Sequence, residues 1–118
     1  MNQERMWIMI AGPYGFKAKN DEDRRTNLSK LNSAAVAVFQ KGHIPIIGVN
    51  MALPMIEAAG DGSYSEIMMP ISLGLCERCD AILRLEGDSS GADREVAEFE
   101  KRGLTVYRRI EEIPTAIT

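Results

Sequence analysis

The chain is poor in cysteine and histidine, carries no excess of positive charge and has no long apolar run, and each shortage removes a class of function. Its two cysteines form "CERC", Cys76 and Cys79. A redox pair of that spacing belongs at a helix N-terminus after a strand, where the dipole lowers a thiol pKa. This pair instead ends a helix just before a strand, the expectation for reduced, partly buried thiols. With one histidine and no second pair of ligands, no zinc site and no other metal is expected. The N-terminal "MNQERMWIMIAG" holds only a short apolar run with no signal-cleavage pattern, and no run approaches the ~20 residues of a membrane span. No membrane partner and a cytoplasmic location are expected. A formal charge of −3 without a basic stripe argues against a nucleic-acid polymer as partner, while leaving room for a small anionic ligand. Neither a Walker motif nor the G-x-G-x-x-G dinucleotide fingerprint occurs.

What is present is an alternation of periods. The 118 residues suit one domain, 1–118, large enough to bury a core without cross-links. "MWIMIAG" reads as a buried parallel strand ending near Ala11. Leu28, Leu31, Ala35, Val38 and Phe39 then share one helical face, after an Asn20 cap with Asp23 three residues on, and Gly42 closes the helix. "HIPIIGV" supplies a second strand, Ile44 to Val49. Tyr64, Ile67, Met68, Ile71 and Leu75 recur at helical spacing, with Pro70 predicting a kink or restart. "DAILRLEG" contains a third strand, Ala81 to Leu85; Ala92, Val96, Phe99 and Gly103 line one side of another helix, and "LTVYR" is a fourth strand. "EAAGDGSYS", Glu57 to Ser65, is either a mobile loop able to close over a ligand or an ordinary crossover turn. Strands alternating with helices predict an α/β fold: a three-layer, doubly wound parallel sheet of four or five strands, Rossmann- or flavodoxin-like.

Ligands of such sheets bind outside the carboxyl ends of the strands, near the switch point in strand order. Those ends are "AGPYGF", "GVNMALP", "EGDSSGAD" and "YRR", and three of them are rich in glycine, small polar groups or an aromatic residue. In "EGDSSGADREVAEF", Ser90 reads as the helix N-cap with Asp93 completing a capping box, and Gly91 permits close approach to amides that suit a phosphate or a sugar hydroxyl. Glu95 follows one turn in, where the helix field favours its charged form, and an ionised carboxylate there suits a nucleophile or cation stabiliser. The plainer alternative is a capped helix with Glu95 in solvent. Gly12 and Gly15 free backbone amides near the sheet edge, and Tyr14 stacks on a base or donates its hydroxyl as a catalytic group, unless it only packs in a tight turn. Arg24 and Arg25 sit in the first turns of a helix, where a bound anion, or the neighbouring Asp21, Glu22 and Asp23, accounts for them. His43 and Asp80 fall at the opposite sheet edge. Methionines 51, 55, 68 and 69 fit either a pocket or a core, and Glu98 with Arg102 has the spacing of a surface pair.

The order "IAGPY", helix, "GHIP", "ERCDAIL" and "SSGADREVA" resembles the small bacterial and phage proteins of the DUF4406 type, within the superfamily of nucleoside 2-deoxyribosyltransferases and deoxynucleoside 5'-monophosphate N-glycosidases. The resemblance covers nearly the whole chain, and its most specific element is S-x-G-x-x-x-E, matched by Ser89, Gly91 and Glu95. It implies that Ser89 helps to bind phosphate, that Glu95 attacks the anomeric carbon, and that Gly12 and Tyr14 border base and sugar. Where the glycosidases carry an aspartate in the helix before the third strand, this chain has Ser72, which can hydrogen-bond a hydroxyl but supplies no second charge. The implied activity is hydrolysis or base exchange at the N-glycosidic bond of a nucleoside or nucleoside monophosphate. Ser89, Ser90 and Gly91 would hold the 5' end, no cofactor is implied, and a homodimer or higher homo-oligomer is expected. A non-catalytic nucleotide-binding or sensing module would use the same cradle without turnover. A purely structural interaction protein would bind no ligand.

Overall fold

A computed structural model of the chain describes residues 4–60 and 62–116. Four parallel strands, β1 (Trp7–Ala11), β2 (Ile44–Ile46), β3 (Ala81–Arg84) and β4 (Thr105–Tyr107), form a sheet of order β2-β1-β3-β4. Met9 pairs with Ile46 on one side and Ile82 on the other, and Ile82 pairs with Val106. The three-layer α/β fold expected above is present, with four strands.

The layers follow from which strand residues face which helix. Met9, Ala11 and Ile82 pack with Val96 and Phe99 of α4 (Ser90–Lys101) and with Cys76, the last residue of α3 (Tyr64–Cys76). Their alternates Ile8, Ile10, Ala81 and Leu83 pack on the other face with Leu31 and Val38 of α1 (Asp21–Gln40) and with Ile113. The period of two along each strand thus divides the core into two halves. Both cysteines are free and buried, and burial raises both thiols, Cys79 to about 11, so they are inert packing groups.

Several expectations need correction. All of the predicted loop "GVNMALP" and the start of "EAAGDGSYS" belong to an unexpected helix, α2 (Gly48–Ala59), so β2 stops at Ile46 instead of reaching Val49. Asp61 of that stretch lies outside the described residues. Pro54 and Pro70 both sit inside helices, and α3 continues through Pro70 without a restart. Phe39 is 64% exposed instead of lying on the inner face of α1, whose buried residues are Leu31 and Val38. Gly103 is exposed beyond the end of α4. Arg102 does not pair with Glu98; its guanidinium donates to the carbonyls of Cys76 and Glu77, capping the end of α3. Asn20 caps α1 as expected, its Oδ1 accepting from the Asp23 amide at 2.8 Å.

His43 and Asp80 are structural at the far edge. The His43 Nδ1 accepts the Met6 amide at 3.0 Å while Nε2–H donates to the Pro114 carbonyl, and Asp80 accepts the Trp7 amide at 2.8 Å. No helix among the described residues is long and apolar enough to cross a membrane.

Candidate active site

The order β2-β1-β3-β4 puts the switch point between β1 and β3, because the chain leaves these neighbours in opposite directions. A cleft of about 660 Å³ lies there, a volume suited to a small-molecule ligand. The β1–α1 loop contributes Gly12, Tyr14, Gly15 and Phe16; α1 contributes Arg24; α3 contributes Tyr64, Met68, Met69 and Ser72; the start of α4 contributes Ser89 to Ala92, Arg94 and Glu95. Gly12, Tyr14, Gly15, Arg24, Ser72, Ser89, Ser90, Gly91 and Glu95, all singled out in the sequence, border this one cleft, whereas Arg25 does not.

A buried cation braces the β3–α4 loop that leads into the cleft. Arg84, at the last position of β3 and 8% exposed, donates to the carbonyls of Leu85 and Gly87 and to Asp93 Oδ1, the last two at 2.9 and 3.0 Å. It thereby ties the β3–α4 loop to the first turn of α4. This role for Asp93 replaces the expected capping box with Ser90. The N-cap is Ser89, whose Oγ accepts the Ala92 amide at 3.1 Å, while Ser90 opens the helix and is exposed. Ser89 thus satisfies one orphan amide of the helix end, and the early amides of Ser90 and Gly91 have no intrahelical acceptor. At the surface, Lys17 pairs with Asp88 at 2.9 Å, linking the loops after β1 and β3.

Glu95 is 8% exposed despite lying one turn into a surface helix. Burial pushes its carboxyl up to about 7, opposed only in part by the Arg84 charge, and it has no hydrogen-bond or ion-pair partner among the described residues. The expected dominance of the helix field is therefore reversed: desolvation outweighs the dipole, and Glu95 is poised between its two protonation states near neutrality.

Ser72 is 3% exposed and borders the same cleft as Glu95 and Tyr14. Its neighbour across the helix pair is Gly48, where a Cβ would lie 2.1 Å from the Ser72 Oγ. Gly15 is similarly close to Tyr64, whose Oη lies 2.9 Å from the place of a Cβ, so an aromatic from α3 reaches the β1–α1 loop. At Gly91 a Cβ would meet the Met69 sulfur at 3.2 Å, so this glycine makes room for a thioether as well as for a ligand. Arg24 pairs with Asp21, and Arg25 faces away into a shallow groove on α1. Of the four methionines, Met68 and Met69 line the cleft, whereas Met51 and Met55 are exposed.

Tyr64, Phe16 and Arg94 went unrecognised as site residues in the sequence. Tyr64 had the spacing of a core residue, and only its position at the start of α3 after two glycines would have marked it. Among the described residues no group of three or more histidine, cysteine or acidic side chains could hold a metal ion. No family model matches the chain, and no curated protein does.

Proposed function

We propose that the chain is a nucleoside 2-deoxyribosyltransferase-like enzyme of the DUF4406 type that hydrolyses or exchanges the N-glycosidic bond of a nucleoside or nucleoside monophosphate. The observation that carries it is Glu95: a nine-tenths buried carboxylate without a partner, bordering a nucleoside-sized cleft at the switch point. Burial of an unpaired carboxylate opposes folding, and such costs concentrate at functional sites. In the ionised form Glu95 attacks C1', the base leaves with the bonding electrons, and water or a second base resolves the glycosyl ester with retention. Tyr14 and Tyr64 offer ring faces to the base. Ser89 and the Ser90 and Gly91 amides take the 5' end, with Arg94 on the same helix turn supplying positive charge. The enzyme would act in the cytoplasm as a homodimer or higher homo-oligomer.

Chromatographic detection of free base from a panel of nucleosides and their 5'-monophosphates, with Glu95→Gln as control, tests this proposal. Base released by the native chain and not by the variant is the expected result; equal release by both removes Glu95 from the chemistry. The neutral Ser72 favours one second reading, a nucleotide-binding module without turnover, for which ligands would raise the melting temperature while no base appears.

A further inference from the structure

The cleft combines one buried carboxylate with an aromatic and thioether wall, and this pairing narrows the substrate class. Glu95 is unpartnered, and around the same space stand Tyr14, Phe16, Tyr64, Met68 and Met69. Aromatic faces and polarisable sulfur favour a flat cation, and an unpaired carboxylate favours it further. Of the two arginines that border the cleft, Arg24 is paired with Asp21, and Arg94 lies on the α4 turn proposed to hold the 5'-phosphate.

The leaving group points the same way. Cleavage of an ordinary N-glycoside by a carboxylate pair uses one group to attack and the other to protonate the departing atom. Here the one carboxylate among the described residues of the cleft, if it attacks, carries no proton to give. The hydroxyl groups that border the cleft, on serine and tyrosine side chains, are by nature weak acids. A base that is already cationic needs no proton: the C1'–N bond breaks, its electron pair neutralises the base, and Glu95 forms the ester to C1'. Water then attacks C1', Glu95 leaves as carboxylate, and the proton of the attacking water passes to solvent.

We propose that the preferred substrates are nucleotides whose base carries a fixed positive charge, such as N7-alkylated purines or pyridinium bases. The inference deepens the proposed function and rests on Glu95 acting at a glycosidic bond.

The test compares 7-methylguanosine 5'-monophosphate with guanosine 5'-monophosphate, and the 2'-deoxy forms of the same pair. Free base is measured at pH 7 and corrected for spontaneous loss. One methyl group changes the charge of the base while sugar and phosphate stay fixed. A positioned general acid typically contributes 10²–10⁴-fold, so an enzyme lacking one should favour the methylated member by more than about 100-fold in kcat/KM. A smaller ratio in both sugar series, or release of a neutral base without release of the methylated one, overturns the charge preference and leaves Glu95 as nucleophile standing. No base from any of these four, nor from any neutral nucleotide of the panel above, removes the glycosidic reaction and the preference together.

Discussion

Gly48 and Ser72 touch so closely that no side chain fits between them: a Cβ on Gly48 would stand 2.1 Å from the Ser72 Oγ and 2.9 Å from its Cβ. The N-terminus of α2 is thus seated against the cleft wall of α3, and the position of Ser72 depends on the absence of a side chain at Gly48. Gly48→Ala should cost about 1–3 kcal/mol, the usual range for overpacking a core. Ser72→Gly in the same chain should recover part of that loss, because it removes both clashing atoms. A double-mutant cycle by denaturant unfolding measures the coupling, and strictly additive effects would show that α2 and α3 shift apart freely.

Glu95→Gln should stabilise the fold while removing activity. A carboxyl raised from 4.5 to about 7 favours the protonated native state, so its stabilising effect is full below about 4.5 and disappears as pH rises through 7. The glutamine variant has no such dependence. It should therefore match the native chain near pH 4 and exceed it by up to about 3 kcal/mol at pH 8, on ~1.4 kcal/mol per pH unit. Unfolding at the two pH values checks this. The same titration predicts that turnover by a nucleophilic Glu95 rises with pH through about 7.

The raised Glu95 carboxyl, where the helix field alone favours the charged form, marks how far the sequence alone can be read. The sheet was legible because four short β-rich runs alternate with helical spacing, and the cleft was legible because topology gathers their carboxyl ends. The α2 helix was hidden: it opens on Gly48, its N-cap Ile47 makes no capping hydrogen bond, and it contains Pro54, so local rules favour a loop where packing against α3 decides. Ser89 and Ser90 are equally good caps in isolation; Arg84 drawing Asp93 to the loop accompanies the choice of Ser89. Desolvation of Glu95 depends on the walls that α3 and the β1–α1 loop raise around it, which periodicity does not report.

The two serines should separate by experiment. Ser89→Ala loses the cap and should cost about 1 kcal/mol, while Ser90→Ala, at an exposed first helical position, should stay within about 0.5 kcal/mol. If their hydroxyls and amides hold a 5'-phosphate, a monophosphate raises the melting temperature of the native chain more than its nucleoside does, and Ser90→Ala narrows that gap without weakening the fold. Equal shifts from both ligands would place the 5' end elsewhere.

Arg84 is the fixed cation behind the site, and its removal should act on structure and titration at once. Arg84→Met leaves the Leu85 and Gly87 carbonyls without their donor and Asp93 without its partner, a loss of about 1–3 kcal/mol. Because the Arg84 charge is what lowers the Glu95 carboxyl against burial, the acid limb of the rate profile should move above about 7. A fall in stability with an unmoved limb would show that the loop contacts matter and the charge does not.

Ser72→Asp brings the second carboxylate that the cleft lacks. The new group would be buried on the wall of the cleft that Glu95 also borders, so like charge and desolvation together should push the pair to shed its first proton at one value and its second well above it, with stability falling as pH rises. The protonated member can then serve as acid while the other attacks. The variant should therefore release neutral bases faster relative to 7-methylguanine than the native chain does, even if both rates decline through crowding at Gly48. Measuring the methylated-to-unmethylated ratio for both proteins is decisive, because a general loss of folding lowers both rates alike and leaves the ratio unchanged. A ratio that stays constant while the variant remains folded would show that position 72 cannot deliver a proton to the departing base.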